Sequence, residues 1–271
     1  MRYKVLIALF LGLSLFFGYR AYIGYTAGSA AEEIFDSLAE QISHQPAAGT
    51  ADLTPAAERP GAAGAASATE APHSKGESPV WTPNDKYGAL FEQNEDMIGW
   101  IAIDGTAINY PVMHTPDRKD FYLSRNFEKE SCNYGVPYVA ENCSVSPPGD
   151  NIVIYGHNMK NGAMFAALEN YKSKEFYEEH PVIRFDTRAG FGLYEIVAAF
   201  KVYPADFDYH LFADAAGQAE FDEYIRRCKE LSFYDIGVTA EYGDKLISLS
   251  TCEYTQQDNR LVVVAKFTKE V

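Results

Sequence analysis

The stretch LISLSTCEYTQQDNRLVVVAKF, residues 246–267, predicts two strands joined by a short polar loop. The segment from Ile247 to Cys252 alternates with the period of two that is typical of a strand, and Leu261 to Ala265 is a largely β-branched run that suits a buried strand. The loop is too short for a crossover helix, so we expect antiparallel neighbours. Cys252, at the end of the first strand, and Arg260, at the start of the second, should therefore lie side by side at one rim of a sheet.

A thiol and a guanidinium at one rim supply a nucleophile and a stabiliser of negative charge, but the pair lacks a base. His157 is the candidate, because it follows the predicted strand NIVIYG (residues 151–156) and precedes a polar loop. The other histidines lie in low-complexity or loop-like sequence: His44, His73, His114, His180 and His210. Each of Cys252, His157 and Arg260 alone has an ordinary structural explanation, and only their combination indicates catalysis.

Composition sets the broad class of the protein. The chain has 271 residues, of which 47% are hydrophobic and 14% aromatic, enough for one well-filled, β-rich domain with appendages. A formal charge of −15 argues against binding to a nucleic-acid backbone. The four cysteines contain no CxxC spacing, so neither a zinc site nor any other metal centre is predicted.

The N-terminal part of the sequence divides into three segments. Residues 1–27 carry two basic residues and the apolar run VLIALFLGLSLFFGY, which predicts a signal-anchor helix, with a cleaved signal peptide as the alternative. Residues 28–45 predict an amphipathic helix whose apolar face carries Ile34, Leu38 and Ile42. Residues 46–85 are rich in Ala, Pro, Gly and Ser and predict a disordered linker that separates this helix from the globular domain, residues 86–271, and leaves its docking undecided.

The globular part predicts a sheet closed on itself, mainly β with helices in its connections. Asp104-Gly105 lies between two apolar runs and predicts a hairpin over residues 98–113. Further strands are expected at Pro137–Ala140, Asn151–Tyr155, Val182–Asp186 and Gly192–Val202, and helices at Tyr87–Asn94, Met164–Tyr171, Ser173–Glu179 and Gln218–Leu231.

The sequence resembles the sortases, the cysteine transpeptidases of Gram-positive cell surfaces. Within that family it is most similar to class B. The matching stretches are INYPV (108–112), NIVIYGH (151–157), LSTCEY (249–254) and RLVVVAK (260–266), in the family's order and strand context. The resemblance covers roughly residues 86–271. It implies a closed eight-stranded β-barrel, in which the helix at Gln218–Leu231 is the class B insertion before the strand that carries the cysteine.

The resemblance also implies the chemistry. Cys252 would be the nucleophile, His157 the acid and base, and Arg260 the oxyanion donor, and no cofactor is implied. It assigns substrate binding to Tyr155, Ser250, Thr251 and Glu253, with Asn109 as a further candidate. The substrates would be surface proteins with a C-terminal sorting signal of the NPxTx type, cleaved after Thr and transferred to an amine of a lipid II-type peptidoglycan precursor. The enzyme would be a single-pass membrane protein with its catalytic domain outside the cell.

Several alternatives remain open at this stage. A papain-like peptidase is disfavoured because that family places its cysteine on a helix ahead of its histidine. A non-catalytic exported β-barrel module explains the anchor, linker and sheet. It gives no reason, however, for Cys252 and Arg260 to lie together at one rim. Within the sortases, pilin polymerisation is an alternative to wall anchoring. Cys132 and Cys143 are expected as free thiols, with a disulfide as the alternative.

Overall fold

The computed structural model describes residues 12–19, 33–42, 85–252 and 259–270. The prediction of an anchor at 1–27 therefore falls mostly outside these residues, and that of a linker at 46–85 almost entirely so. Residues 12–19 are helical and exposed. Within the described ranges, no helix combines the length and the apolar character that crossing a bilayer requires.

Eight strands form a closed barrel, as the sequence predicts. In chain order they are β1 (Met97–Ala102), β2 (Asn109–Met113), β3 (Tyr138–Val139), β4 (Asn151–Tyr155), β5 (Val182–Thr187), β6 (Gly192–Val202), β7 (Leu246–Cys252) and β8 (Arg260–Glu270). Around the barrel they follow the order β1-β2-β3-β4-β7-β8-β6-β5, and β5 closes the barrel against β1. The pairs β2–β3 and β4–β7 are parallel, and the other pairs are antiparallel.

Within residues 85–270, one helix and one 3-10 turn precede β1, and the other helices and turns occupy connections between strands. The helices are α1 (Gly88–Gln93), α2 (Lys174–Glu179) and α3 (Gln218–Leu231), with 3-10 turns at Asp85–Tyr87, Phe121–Ser124, Phe165–Lys172 and Tyr209–Leu211. Helix α3 lies between β6 and β7, at the predicted position of the class B insertion, and packs against β6. Its apolar stripe consists of Phe221, Ile225 and Cys228, which lie on one face of the helix and are buried.

Residues 246–251 of β7 and 261–265 of β8 are covered on both faces, which explains their sequences. Leu261 to Ala265 is fully buried, as expected for a continuous apolar run. The two serines of β7 are buried as well, and each finds a tyrosine hydroxyl: Ser248 pairs with Tyr224 at 3.1 Å and Ser250 with Tyr209 at 2.7 Å. Buried hydroxyls that keep hydrogen-bond partners add little cost to the core.

The helix at residues 33–42 docks on the barrel, which answers the question that the sequence left open. Phe35, Leu38 and Ile42 are buried, and the ring of Phe35 meets Tyr110 of β2 edge to face at 5.2 Å. Ile34 is partly buried and packs against the same core, so the contact stripe includes Phe35 in addition to the predicted Ile34, Leu38 and Ile42. Positions 35, 38 and 42 follow the spacing of one helical face, and the aromatic ring of Phe35 adds surface to bury.

Candidate active site

The strand register brings Cys252 and Arg260 together. Strands β7 and β8 are antiparallel, and position 252 is the direct partner of position 260. The expectation from the short loop is therefore confirmed at the level of the backbone. Residues 253–258, which include the predicted substrate-binding residue Glu253, lie outside the described residues.

His157 reaches the same rim by way of β4. This strand runs parallel to β7, with Tyr155 beside Ser250, so residues two positions further on leave their strands at the same end of the barrel. The pairing continues beyond β4, because Gly156 N donates to Ser250 O at 3.1 Å and Thr251 Oγ1 donates to Gly156 O at 2.7 Å. The three predicted catalytic positions, 157, 252 and 260, thus share one rim.

Gly156 explains why a glycine precedes the histidine. A Cβ atom at this position would lie 2.5 Å from Cγ of the Phe165 ring, far inside contact distance. Phe165 N in turn donates to His157 O at 2.8 Å. The bend after β4 is therefore tightly packed, and a residue larger than glycine would not fit at position 156.

The imidazole of His157 has a defined partner. Its Nε2 lies 2.7 Å from the carbonyl oxygen of Leu123, in the 3-10 turn Phe121–Ser124. A carbonyl oxygen only accepts hydrogen bonds, so Nε2 carries a hydrogen and Nδ1 is the ring nitrogen left for proton transfer. The contact fixes both the orientation and the protonated nitrogen of the ring.

Arg260 supplies a positive charge at the rim. Its side chain is half-buried, and Nη1 donates to the carbonyl of Asn259 at 3.2 Å. A guanidinium remains charged throughout the physiological pH range and presents a planar fork of donors. Such a group, held at the end of a strand, can stabilise an oxyanion that forms beside position 252.

An open cleft with a volume of about 700 Å³ lies at this rim. His157 and Arg260 contribute to its walls, as do the predicted substrate-binding residues Tyr155, Ser250 and Thr251. Ser250 and Thr251 are buried with satisfied hydroxyls, so they shape the floor of the cleft. Burial raises the pKa of the Tyr155 hydroxyl, which therefore stays protonated and able to donate.

Asn109 is not part of this cleft, and the prediction that it binds the sorting signal here is not supported. Its side chain accepts a hydrogen bond from Trp100 Nε1 at 2.7 Å, and it lines a separate cavity of about 300 Å³ beside the helix at residues 33–42. The reason lies in the register. Met113, at the other end of β2, is the residue at the level of Tyr138 and Tyr155.

Two parts of the cleft were not predicted. Tyr209 and His210, in a loop that the sequence marks only as aromatic, form one wall. The 3-10 turn Phe121–Ser124 contributes Leu123, whose carbonyl oxygen contacts His157. A carbonyl has no residue-type signature, so sequence patterns could not identify this contact. The aromatic content of residues 207–212 was the available signal for the other wall.

The remaining cysteines are free thiols, as expected, and two of them are poor nucleophiles. Burial raises the pKa of Cys143 to about 11, although its sulfur accepts a hydrogen bond from Val153 N at 3.4 Å. Burial also raises the pKa of Cys228 within α3. Both thiols therefore stay protonated at neutral pH, and the thiolate is the reactive form. Cys252 is the cysteine that the strand register places at the rim shared with positions 157 and 260.

A closed barrel that brings a cysteine, a histidine and an arginine to one rim of an open cleft has the arrangement of a cysteine-dependent acyl-transfer enzyme. Comparison with known proteins identifies which one. The sequence model of the sortase domain matches residues 101–268, and the chain belongs to the sortase family.

The relatives that match this chain are class B sortases. Sortase B of Staphylococcus aureus is 31% identical over 186 residues, which are 68% of this chain and 75% of that protein. Sortase B of Listeria monocytogenes is 34% identical over 186 residues, 67% of this chain and 74% of that protein. The solved structure of the S. aureus sortase B–substrate complex matches with a TM-score of 0.64 and 30% identity, covering 69% of this chain and 86% of that one.

Membership of this family decides between the broad alternatives. Sortases of class B are cysteine transpeptidases, so the chain is an enzyme and the interpretation as a non-catalytic barrel module is wrong. The papain-like interpretation is also excluded, because Cys252 ends a strand and follows His157 in the chain.

Proposed function

We propose that this chain is a membrane-anchored class B sortase that cleaves an NPxTx-like C-terminal sorting signal after Thr and transfers the protein to an amine of a peptidoglycan precursor. The observation that carries the proposal is the register of β4, β7 and β8, which sets positions 157, 252 and 260 at one rim of the cleft. Sortase B of S. aureus has been solved as a complex with its substrate, which supports a substrate-binding role for this chain as well.

In the first half-reaction Cys252 attacks the carbonyl carbon of the signal's threonine. The thiol transfers its proton to His157, and the thiolate forms a C–S bond while the carbonyl electrons move to oxygen. The guanidinium of Arg260 stabilises this oxyanion. When the intermediate collapses, the C–N bond breaks and the protonated His157 gives its proton to the departing amine. The products are a thioester on Cys252 and the released C-terminal peptide.

In the second half-reaction an amine replaces the sulfur. The amine attacks the thioester carbonyl, and His157 accepts the proton that the nitrogen loses. Arg260 again faces the oxyanion, and the C–S bond then breaks to leave an amide and the Cys252 thiolate. The thiolate takes the proton from His157, which restores the starting thiol and the neutral imidazole. A cleft open to solvent is compatible with a large acceptor such as a peptidoglycan precursor.

Docking of the helix at residues 33–42 changes the role of the linker. The predicted anchor ends at residue 27, only a few residues before the docked helix, so an anchored barrel would sit close to the bilayer. Because the helix at residues 33–42 contacts the barrel directly, the predicted linker, residues 46–85, would not set the distance between the barrel and the membrane. An enzyme and a substrate that are both held at a membrane meet at a raised effective concentration.

The test is a peptide panel with the full chain, since removing residues 33–42 would expose an apolar face. The panel keeps Pro and Thr of the NPxTx pattern and varies the first and third positions, with triglycine as the acceptor. We expect cleavage after Thr and a product that carries triglycine. Scrambled peptides of the same composition serve as controls. The proposal fails if the folded enzyme cleaves no member of the panel, or cleaves matched and scrambled peptides equally.

A further inference from the structure

We propose that Asp96 is a positioning residue for the catalytic histidine. Its carboxylate gathers three donors into a polar cluster, here called the Asp96 hub, formed by Asp96, Arg118, Tyr122 and Lys129. The hub fixes the 3-10 turn Phe121–Ser124, whose Leu123 carbonyl holds His157. The functional consequence rests on the role of His157 in the proposed function.

The geometry of the hub is compact. Asp96 Oδ2 accepts from Arg118 Nη2 at 2.8 Å, from the Tyr122 hydroxyl at 2.8 Å and from Lys129 Nζ at 3.1 Å. The Asp96 side chain is 11% exposed and Tyr122 is fully buried, so the bond between them is shielded from water, whereas Arg118 and Lys129 reach Asp96 from the solvent side. Tyr122 OH also accepts from Asn94 Nδ2 at 2.9 Å. The carboxylate therefore joins the residues just before β1 to a segment that would otherwise be an irregular surface loop.

Three successive backbone carbonyls link the turn Phe121–Ser124 to its neighbours and to His157. Tyr122 O accepts from Val136 N at 3.1 Å, and Ser124 O accepts from Cys132 N at 3.0 Å. The carbonyl between them, that of Leu123, accepts from His157 Nε2 at 2.7 Å. Since the backbone is held on both sides of Leu123, the position of this acceptor is determined by the hub and by residues 132–136.

Gly135 gives an independent indication that the turn is positioned closely. This residue has φ of +61°, and a Cβ atom there would lie 2.6 Å from Tyr122 O and 2.7 Å from Leu123 O. A side chain at position 135 would therefore displace the same carbonyl that binds His157. The residue type at this position matches the need to keep that carbonyl in place.

At neutral pH the Asp96 carboxylate is ionised, and this charge favours its hydrogen bonds with the three donors of the hub. Burial alone would raise the pKa of Asp96, but hydrogen bonds from Tyr122, Lys129 and Arg118 outweigh it and the pKa lies below its ordinary value. The carboxylate is thus ionised whenever the enzyme works near neutrality, and its donors keep a charged acceptor.

Asp96→Asn tests the proposal, with Asp150→Asn as the matched control. Asp150 is also a partly buried carboxylate with a lowered pKa, and it accepts from Lys245 Nζ at 2.9 Å and Ala215 N at 3.0 Å. It precedes β4, whereas His157 follows that strand, so it lies at the opposite end of the barrel. We expect kcat for peptide cleavage to fall between about tenfold and a hundredfold in Asp96→Asn, with a smaller change in KM, because small misplacement of a catalytic group is costly. Asp150→Asn should change kcat by less than about twofold.

The nitrogen shifts of the His157 ring provide a readout that does not depend on turnover. With ¹⁵N-labelled histidine, the wild type should show hydrogen on Nε2, and Asp96→Asn should shift towards an exchange average of both tautomers. Wild-type kcat and unchanged ring shifts in a folded Asp96→Asn variant would overturn the proposal. If the wild type cleaves no sorting peptide, the proposed function fails, and the ring shifts alone still decide whether Asp96 positions His157.

Two glycine substitutions test the proposal independently if the Asp96→Asn variant does not fold. Gly135→Ala places a methyl group against the Leu123 carbonyl, whereas Gly243→Ala introduces alanine at φ of +105° where no atom lies within 4 Å. Both substitutions strain the backbone, but only the first should lower kcat and alter the His157 shifts. Equal effects of the two on kcat and on the ring shifts would overturn the proposal.

Discussion

Replacing Cys252 with alanine is expected to lower kcat/KM for the sorting peptide by at least about 10⁴-fold, because the covalent intermediate can no longer form. The fold should survive, since position 252 ends β7 and its backbone pairing with Arg260 does not require a thiol. The measurement is peptide cleavage followed by mass spectrometry, with a thermal unfolding curve to confirm that the variant is folded.

Two other cysteines provide the controls for this prediction. Cys143→Ala and Cys132→Ala should keep activity within a few-fold of the wild type, because neither residue lies at the catalytic rim. The raised pKa of Cys143, about 11, also keeps that thiol protonated at neutral pH. A Cys252→Ala enzyme with substantial activity, combined with loss of activity in either control, would reassign the nucleophile.

Replacing Arg260 with lysine is the second large effect that we expect, a fall in kcat of about 10²- to 10³-fold. The positive charge remains, but one ammonium group cannot reproduce the planar fork of donors at the same position. The loss should appear in kcat more than in KM, because the oxyanion exists in the transition state and not in the bound substrate.

Arg226→Lys is the matched control for Arg260. Arg226 lies on the exposed face of α3 and pairs with Glu223 and Glu230, away from the cleft. The same chemical change there should leave kcat unchanged, since exposed ion pairs contribute little. If Arg260→Lys turned over at a rate similar to Arg226→Lys, Arg260 would have no role as oxyanion donor.

The sequence predicted the catalytic rim because its determinants are local. Period-two alternation in β7, the β-branched run in β8 and a short loop between them leave one antiparallel pairing, and that pairing puts Cys252 beside Arg260. Helix α3 begins and ends at the predicted residues because its apolar stripe is strongly periodic and the helix packs on β6.

The features that the sequence did not predict depend on tertiary structure. The Leu123 carbonyl acts through the backbone, so no residue type marks it. Asn109 matches a family motif, but the direction of β2 carries it away from the rim. The burial of Phe35 in the helix at residues 33–42 depends on Tyr110 of the barrel, which its ring contacts edge to face. In each case the deciding partner is distant in the chain.

The most direct test of the account is to isolate the acyl-enzyme. The full chain is incubated with an NPxTx peptide without an acceptor amine, quenched in acid and analysed by intact mass and peptide mapping. We predict an adduct with the mass of the signal up to Thr, attached to the peptide that contains Cys252 and replaced by a peptide–triglycine product when triglycine is added. Cleavage without any adduct on Cys252, or an adduct that water but not triglycine removes, would contradict the account.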